Sequence, residues 1–295
     1  MRVFVTGASG FIGSAVIPEL IGAGHQVVGL ARSDAAAVAL VAAGAQVQPG
    51  SLEDLASLHA GAASADGVIH LAYIHDFSQM EAAAQADRSA IEALGAALAG
   101  SDRPLVIASG LVGLAPGRVA TEQDRPAAAG HPRMAAAEAT LGLASQGVRS
   151  SVVRLSPTVH GQGDQGFISV LIKIARQKGV SGYVGDGTNR WPAVHRLDAA
   201  RLFRLALEQA PAGSVLHGAA EEGVPIRTVA EVVGRHLDVP VRAIAPEEAA
   251  AHFGWLGAFL AADAPASNAL TRALLHWQPD QPGLIDDLDQ GHYFA

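Results

Sequence analysis

The sequence predicts a doubly wound α/β fold, a parallel sheet with helices on both faces, followed by a smaller C-terminal lobe. Three observations predict it. Short apolar runs alternate with helical patterns from the N-terminus to Leu155. The first of these runs passes directly into a glycine-rich turn and then a helix. Apolar residues make up 49% of the 295-residue chain and charged residues only 16%, enough for a substantial core in one large or two modest units.

The elements can be justified in order. Arg2-Val3-Phe4-Val5 is an apolar strand, and Thr6-Gly7-Ala8-Ser9-Gly10-Phe11-Ile12-Gly13 turns off it into a helix marked by Ala15, Val16, Ile17, Leu20 and Ile21. Gln26–Leu30 is the second strand, and residues 35–43 form an alanine-rich helix, alanine being the residue least costly there. Residues 45–48 form a short strand, and a further helix begins at Leu52-Glu53-Asp54-Leu55. Gly67–Ala72 is a near-continuous apolar run of the kind buried on both faces of a parallel sheet. A long helix over 79–99, a strand at Leu105–Ser109, a helix around 133–145 and a strand at Ser151–Leu155 complete the series. Beyond it, 157–164 reads as a loop, Phe167–Ala175 as an amphipathic helix, and Asp198–Gln209 as another helix, with two or three more before the C-terminus. The expected division is a cofactor-binding domain over 1–155, rejoined by about 190–218, and a lobe for substrate made mainly of 156–295.

The strand–turn–helix–strand context gives the glycine triplet its meaning. Gly7 allows a sharp turn, Gly10 lets the backbone approach a pyrophosphate, and Gly13 lets the helix pack near the sheet. The helix N-terminus then offers unpaired N–H groups to phosphates. The spacing, G-x-x-G-x-x-G, differs from the dehydrogenase G-x-G-x-x-G.

Several classes are disfavoured. No apolar run approaches the roughly 20 residues that span a bilayer, and no signal-peptide layout is present. The absence of cysteine excludes disulfides and thiolate chemistry and makes the cytoplasm the default expectation. A net charge of −8 with no basic stripe argues against nucleic acid. Twelve histidines lack metal-ligand spacing, so no metal is expected. A small-molecule substrate is expected, and a homodimer stays open.

The order of motifs resembles that of the extended and atypical short-chain dehydrogenase/reductase superfamily, with its Rossmann sheet, over nearly the whole chain. Residues 6–13 look like its cofactor turn. Ser51 and Leu52 lie where the family has an Asp-Leu pair touching adenine, and Leu71 and Ala72 end the strand bordering the nicotinamide ribose. Arg154–Gly161 and Trp191–Asp198 resemble its Arg…Val-Tyr-Gly and Val-His-Val-x-Asp runs. The resemblance implies Gly7, Ser9, Gly10, Phe11, Ile12 and Gly13 as cofactor ligands and Ser109 as the catalytic serine.

The departures matter as much. The family's Tyr-x-x-x-Lys pair shares a helix face, and the lysine lowers the phenol pKa. Counting back from Glu138 puts these positions near Gly130 and Met134, and no Tyr is followed four residues later by Lys anywhere in the chain. The replacement expected here lies in Tyr73-Ile74-His75-Asp76-Phe77, directly after the fourth strand, where ligands bind in open α/β sheets. Histidine as a residue type titrates near working pH, so His75 is a candidate proton donor, oriented by Asp76 or Tyr73, or with Tyr73 itself in that role. His131 and Arg133, beside the vacated pair, and Trp191, beside the lobe junction, are candidate substrate contacts. His70 reads as a satisfied core histidine, and Trp255 and Trp277 as core.

Cofactor choice follows from the second strand, which ends without the acidic residue of an NAD site and continues Ala31-Arg32-Ser33. Arg32 and Ser33 can bind a 2′-phosphate, with Asp34 read as the cap of the next helix. NADP(H) is therefore expected over NAD(H). The expected activity is an NAD(P)-dependent oxidoreductase on a small, largely apolar carbonyl or alcohol. The alternatives are a non-catalytic redox sensor or a sugar-nucleotide epimerase or dehydratase.

Overall fold

The structure is a computed structural model that describes residues 1–74, 79–125 and 132–295, with backbone alone at 132–134. The first half alternates as expected: β1 (Arg2–Thr6), α1 (Gly13–Gly22), β2 (Gln26–Ala31), α2 (Asp34–Ala42), β3 (Gln46–Pro49), α3 (Leu55–Ala63), β4 (Gly67–His70), α4 (Met80–Leu98), β5 (Pro104–Gly110), α5 (Pro132–Gly142) and β6 (Arg149–Leu155). The second half follows: β7 (Thr158–His160), α6 (Phe167–Lys178), β8 (Ser181–Val184), β9 (Arg190–His195), α7 (Arg196–Gln209), β10 (Ser214–Gly218), β11 (Glu221–Pro225), α8 (Ile226–Leu237), β12 (Val241–Ile244), α9 (Ala249–Phe253), α10 (Gly257–Leu260), α11 (Ala269–Leu275) and α12 (Leu284–Asp289).

A seven-stranded parallel sheet runs in the order β10-β6-β5-β4-β1-β2-β3. Its strand order reverses between β1 and β4, which opens a crevice at their carboxyl ends. Strand side chains alternate between the faces. Val3, Val5, Ile69, Val106 and Val153 pack against α1 and α7, while Phe4, Val28, Val68, Ile107 and Val152 pack against α3, α4 and α5. This is the Rossmann-like architecture that the alternating sequence predicts.

The lobe departs from the sequence reading. Thr158–His160, expected as loop, is strand β7, which pairs in parallel with β9, while β11 runs antiparallel to β9 on its other side. β8 and β12 form a separate parallel pair. The C-terminal third holds more helices than the two or three expected, several of them a single turn. Leu171, Ile172, Trp191, Val229, Val233, Phe253 and Leu256 form its core. α3 begins at Leu55, capped by the Asp54 side chain, and not at Leu52.

Trp277 binds the C-terminal segment to the main sheet, being fully buried among α7 residues with Nε1 donating to the Asp198 carbonyl at 3.1 Å. Trp277→Ala should lower unfolding free energy by about 3–5 kcal/mol, whereas Leu274→Ala, at an exposed position three residues away, should stay within about 0.5 kcal/mol. Urea denaturation measures both, and equal effects would refute this placement of the core.

Candidate active site at the carboxyl edge

The site is built outward from the end of β1. Gly7 adopts φ +66°, and a Cβ there would lie 2.6 Å from the Ala72 nitrogen and 2.8 Å from the Leu71 carbonyl carbon. A Cβ at Gly13 would lie 2.2 Å from the Gly7 oxygen. Only glycine fits at either place. The turn closes through Gly10 N–H donating to the Gly7 carbonyl at 3.0 Å. α1 has no acidic residue in its first turn and no side-chain cap. Among the described residues the amides of Phe11, Ile12 and Gly13 donate to no protein acceptor. Amides arranged in this way can donate to phosphate oxygens.

The exit of β4 is held against the turn by a buried relay that the sequence did not disclose. Asp87 on α4 accepts from His70 Nε2 at 3.1 Å, and His70 Nδ1 lies 2.8 Å from Thr6 Oγ1. The Ala72 amide donates to Thr6 Oγ1 at 3.3 Å. One tautomer satisfies every link: Nε2–H donates to the carboxylate and Nδ1 accepts from the threonine hydroxyl. His70 is thus the satisfied core histidine expected.

The ribose side corrects one reading. The helix cap after β2 is Ser33, whose Oγ accepts from the Ala36 amide at 3.3 Å, and Asp34 is the first helical residue instead. A hydroxyl can accept there and still donate to a phosphate. Arg32 is exposed and makes no ion pair with the described residues. Ser51 Oγ accepts from the Glu53 amide at 3.3 Å, and Leu52 packs half-buried on the core.

Ser109 lies next to the end of β5, 4% exposed, and its hydroxyl makes no hydrogen bond with the described residues. It stands in register with Arg154 on β6, which in turn stands in register with His217 on β10. Arg154 is buried and donates to the Asp124 carbonyl at 2.9 Å; burial draws its pKa down while nearby carboxylates oppose the shift. Glu122 Oε1 accepts from the amide and hydroxyl of Thr271. The sequence reading missed this anchor, because its partners lie 149 residues apart. Glu122 Oε2 and His217 Nε2 are both buried without a partner among the described residues. His217 Nδ1 donates to the Ser267 carbonyl at 2.8 Å, and burial pushes its pKa down to about 4, so the ring is neutral.

Tyr73 follows β4, half-buried. His75 and His131 lie outside the described residues, as does the Arg133 side chain, whose backbone begins α5. Trp191 needs correcting as a substrate contact: it is 1% exposed, with Nε1 donating to the Ala262 carbonyl at 3.1 Å. The exposed tryptophan is Trp255, at 43%, not the core residue expected. It lies 5.6 Å from Phe167 and 6.0 Å from Phe259, ring centre to ring centre, in edge-on contacts. His195 Nδ1 caps α7 by accepting from the Leu197 amide, and burial is the main cause lowering its pKa. Among the described residues no cluster of three or more His, Asp or Glu can hold a metal, and no helix is long and apolar enough to cross a membrane.

Comparison with known proteins agrees with this fold. The model of the NAD dependent epimerase/dehydratase family matches residues 3–217. An uncharacterized protein of Schizosaccharomyces pombe is 50% identical over 295 residues, the full length of both chains. A 4-hydroxy-2-methyl-3-oxo-4-farnesyl-3,4-dihydroquinoline-1-oxide ketoreductase of Stigmatella aurantiaca is 30% identical, over 90% of this chain and 84% of its own. The dTDP-glucose 4,6-dehydratase DesIV of Streptomyces venezuelae, solved with NAD bound, shares the fold at 20% identity with a TM-score of 0.75, over 99% of this chain and 96% of its own.

His217 makes stability depend on pH. The unfolded chain takes up its proton near pH 6.5, the folded protein only near 4. Between those values unfolding binds a proton, so stability falls as pH falls. His217→Gln, which can still donate to Ser267, should lack this component. The wild type should lose on the order of 2–3 kcal/mol more than the variant between pH 7 and pH 4.5, read from urea midpoints. Parallel curves would show that His217 does not titrate this way.

Proposed function

This chain belongs to the NAD dependent epimerase/dehydratase family, and from that premise we propose an NADP(H)-dependent oxidoreductase of the ketoreductase type, acting on a largely apolar carbonyl or alcohol. The glycine cradle fits a dinucleotide, since a Cβ at Gly7 or Gly13 would fill it and the amides beyond have no other acceptor. Gly7, Gly10 and the amides of Phe11, Ile12 and Gly13 would hold the phosphates, with Leu71 and Ala72 along the nicotinamide side. When bound, the nicotinamide supplies or accepts hydride.

The observation that carries the reading is Ser109, a residue 4% exposed whose hydroxyl has no hydrogen-bond partner among the described residues, two strands from the glycine turn at the sheet's carboxyl edge. It is placed to donate to a substrate carbonyl oxygen and to steady negative charge developing there. The protonation step falls to Tyr73 or His75, which follow β4 in the sequence. An apolar substrate fits the exposed face of Trp255 beside Phe167 and Phe259, and it fits the ketoreductase relative. A nucleotide diphosphate fits less well, because Arg190, Arg227 and Arg235 of the lobe are committed to Asp263, Glu231 and Asp289.

Oxidation of NADPH over a panel of apolar ketones and sugar nucleotides tests the reading. Ser109→Ala should lower kcat about 10-fold to 1,000-fold on the best ketone. An unchanged kcat would remove Ser109 from the chemistry, and tight cofactor binding without turnover of any carbonyl would overturn the enzyme reading.

Cofactor preference rests on Arg32, whose guanidinium can fork onto a 2′-phosphate. Calorimetry should show NADPH bound more tightly than NADH, with most of the difference lost in Arg32→Ala. Equal wild-type affinities would refute the preference.

A further inference from the structure

A second cation meets the glycine turn, and it comes from the far side of the crevice. Arg196 is the first residue of α7, and its guanidinium carbon lies 5.3 Å from the centre of the Phe11 ring, inside the turn between Gly10 and Gly13. Its stem passes Gly161, at φ +133°, where a Cβ would approach Arg196 Cγ to 3.2 Å and His195 Nε2 to 2.9 Å. A side chain at 161 would displace the arginine. The backbone carrying it is fixed by His195, which caps the same helix through Leu197.

The charge balance of this arrangement is incomplete. Arg196 is half-buried, and its guanidinium forms no ion pair or hydrogen bond with the described residues. Beneath it lies the N-terminus of α1, with no carboxylate in its first turn. Stacking on phenylalanine returns about 0.5–1 kcal/mol at an exposed site, and does not neutralise a guanidinium set over a helix end that is itself partly positive. An anion with two charges would complete it.

We propose that Arg196 binds the pyrophosphate of the dinucleotide from above, so that the cofactor's phosphates are held between the glycine-turn amides and an arginine of the lobe junction. The proposal rests on the cofactor reading given above. Phe11 orients the guanidinium plane and leaves its N–H fork free to donate to phosphate oxygens. Gly161 provides the passage. Arg32 and Arg196 then have separate duties, one on the 2′-phosphate and one on the bridge.

The test compares NADPH, ADP-ribose and adenosine 2′-phosphate by calorimetry on the full chain. Arg196→Met keeps the stem and removes the charge. It should weaken NADPH and ADP-ribose about 10-fold to 100-fold, the value of one or two charged hydrogen bonds, and leave adenosine 2′-phosphate within about twofold. Arg196→Lys should recover part of the loss. An unchanged affinity for ADP-ribose would overturn the proposal, as would an equal loss for adenosine 2′-phosphate, which has no bridge to bind. A wild type that binds none of the three would instead refute the cofactor reading and this proposal with it, whereas loss confined to carbonyl turnover would assign Arg196 to the substrate.

Discussion

The carboxyl edge depends on how closely the glycine turn approaches the exit of β4. Gly7 and Ala72 are near enough that a single Cβ would force them apart, and that contact brings the free amides of residues 11–13 to the crevice. Glycine only permits the approach. Maintaining it falls to the Thr6–His70–Asp87 relay, which ties the end of β1 to the end of β4 and both to α4. A polar relay in an apolar sheet is costly unless every link is made, and here each link has a donor and an acceptor. The same bonds that offset the desolvation of Asp87 and His70 therefore fix the geometry of the cradle.

The opposite wall is held by a different device. Segment 118–125 carries Glu122 and Asp124, and it is anchored from two sides. Arg154 donates to it from the sheet and Thr271 donates to it from α11, while Arg118 pairs with Asp124 within it. The pairing, together with the Thr121 amide and hydroxyl, holds the Asp124 carboxyl far below its ordinary range. Ser109 lies on β5, between β4 and β6, in register with the Arg154 that holds this segment.

Much of the large sheet was legible because its signal is local. A run such as Leu105–Ser109 can only be a buried strand, and the glycine spacing after β1 declares the turn. What the sequence hid is what depends on distant partners. β7 is three residues long and is a strand only because β9, more than thirty residues on, lies beside it. Ser33 and Asp34 are both good caps, and one step of register decided between them. Trp191 and Trp255 exchanged their expected places because burial is set by the lobe's packing, which composition does not contain. Arg196 carried no signal at all until Phe11 was seen beneath it.

The lobe's attachment explains why so many of its polar groups are buried. His160 on β7 pairs with Asp287 on α12 at 2.8 Å, and the Tyr293 hydroxyl accepts from the Gly161 amide while donating to Asp164. Burial raises the pKa of Tyr293 and of Asp164, so the phenol stays protonated and keeps its role as donor. Each of these bonds ends on β7 or on the short segment between it and α6. That segment contains Gly161, beside the Arg196 stem, and leads to Phe167, at the aromatic face of the lobe. An apolar latch could slide, because dispersion has little direction. Hydrogen bonds from the last ten residues fix the segment in one position, and Gly161 beside the Arg196 stem and Phe167 in the aromatic cluster are positioned by the same contacts.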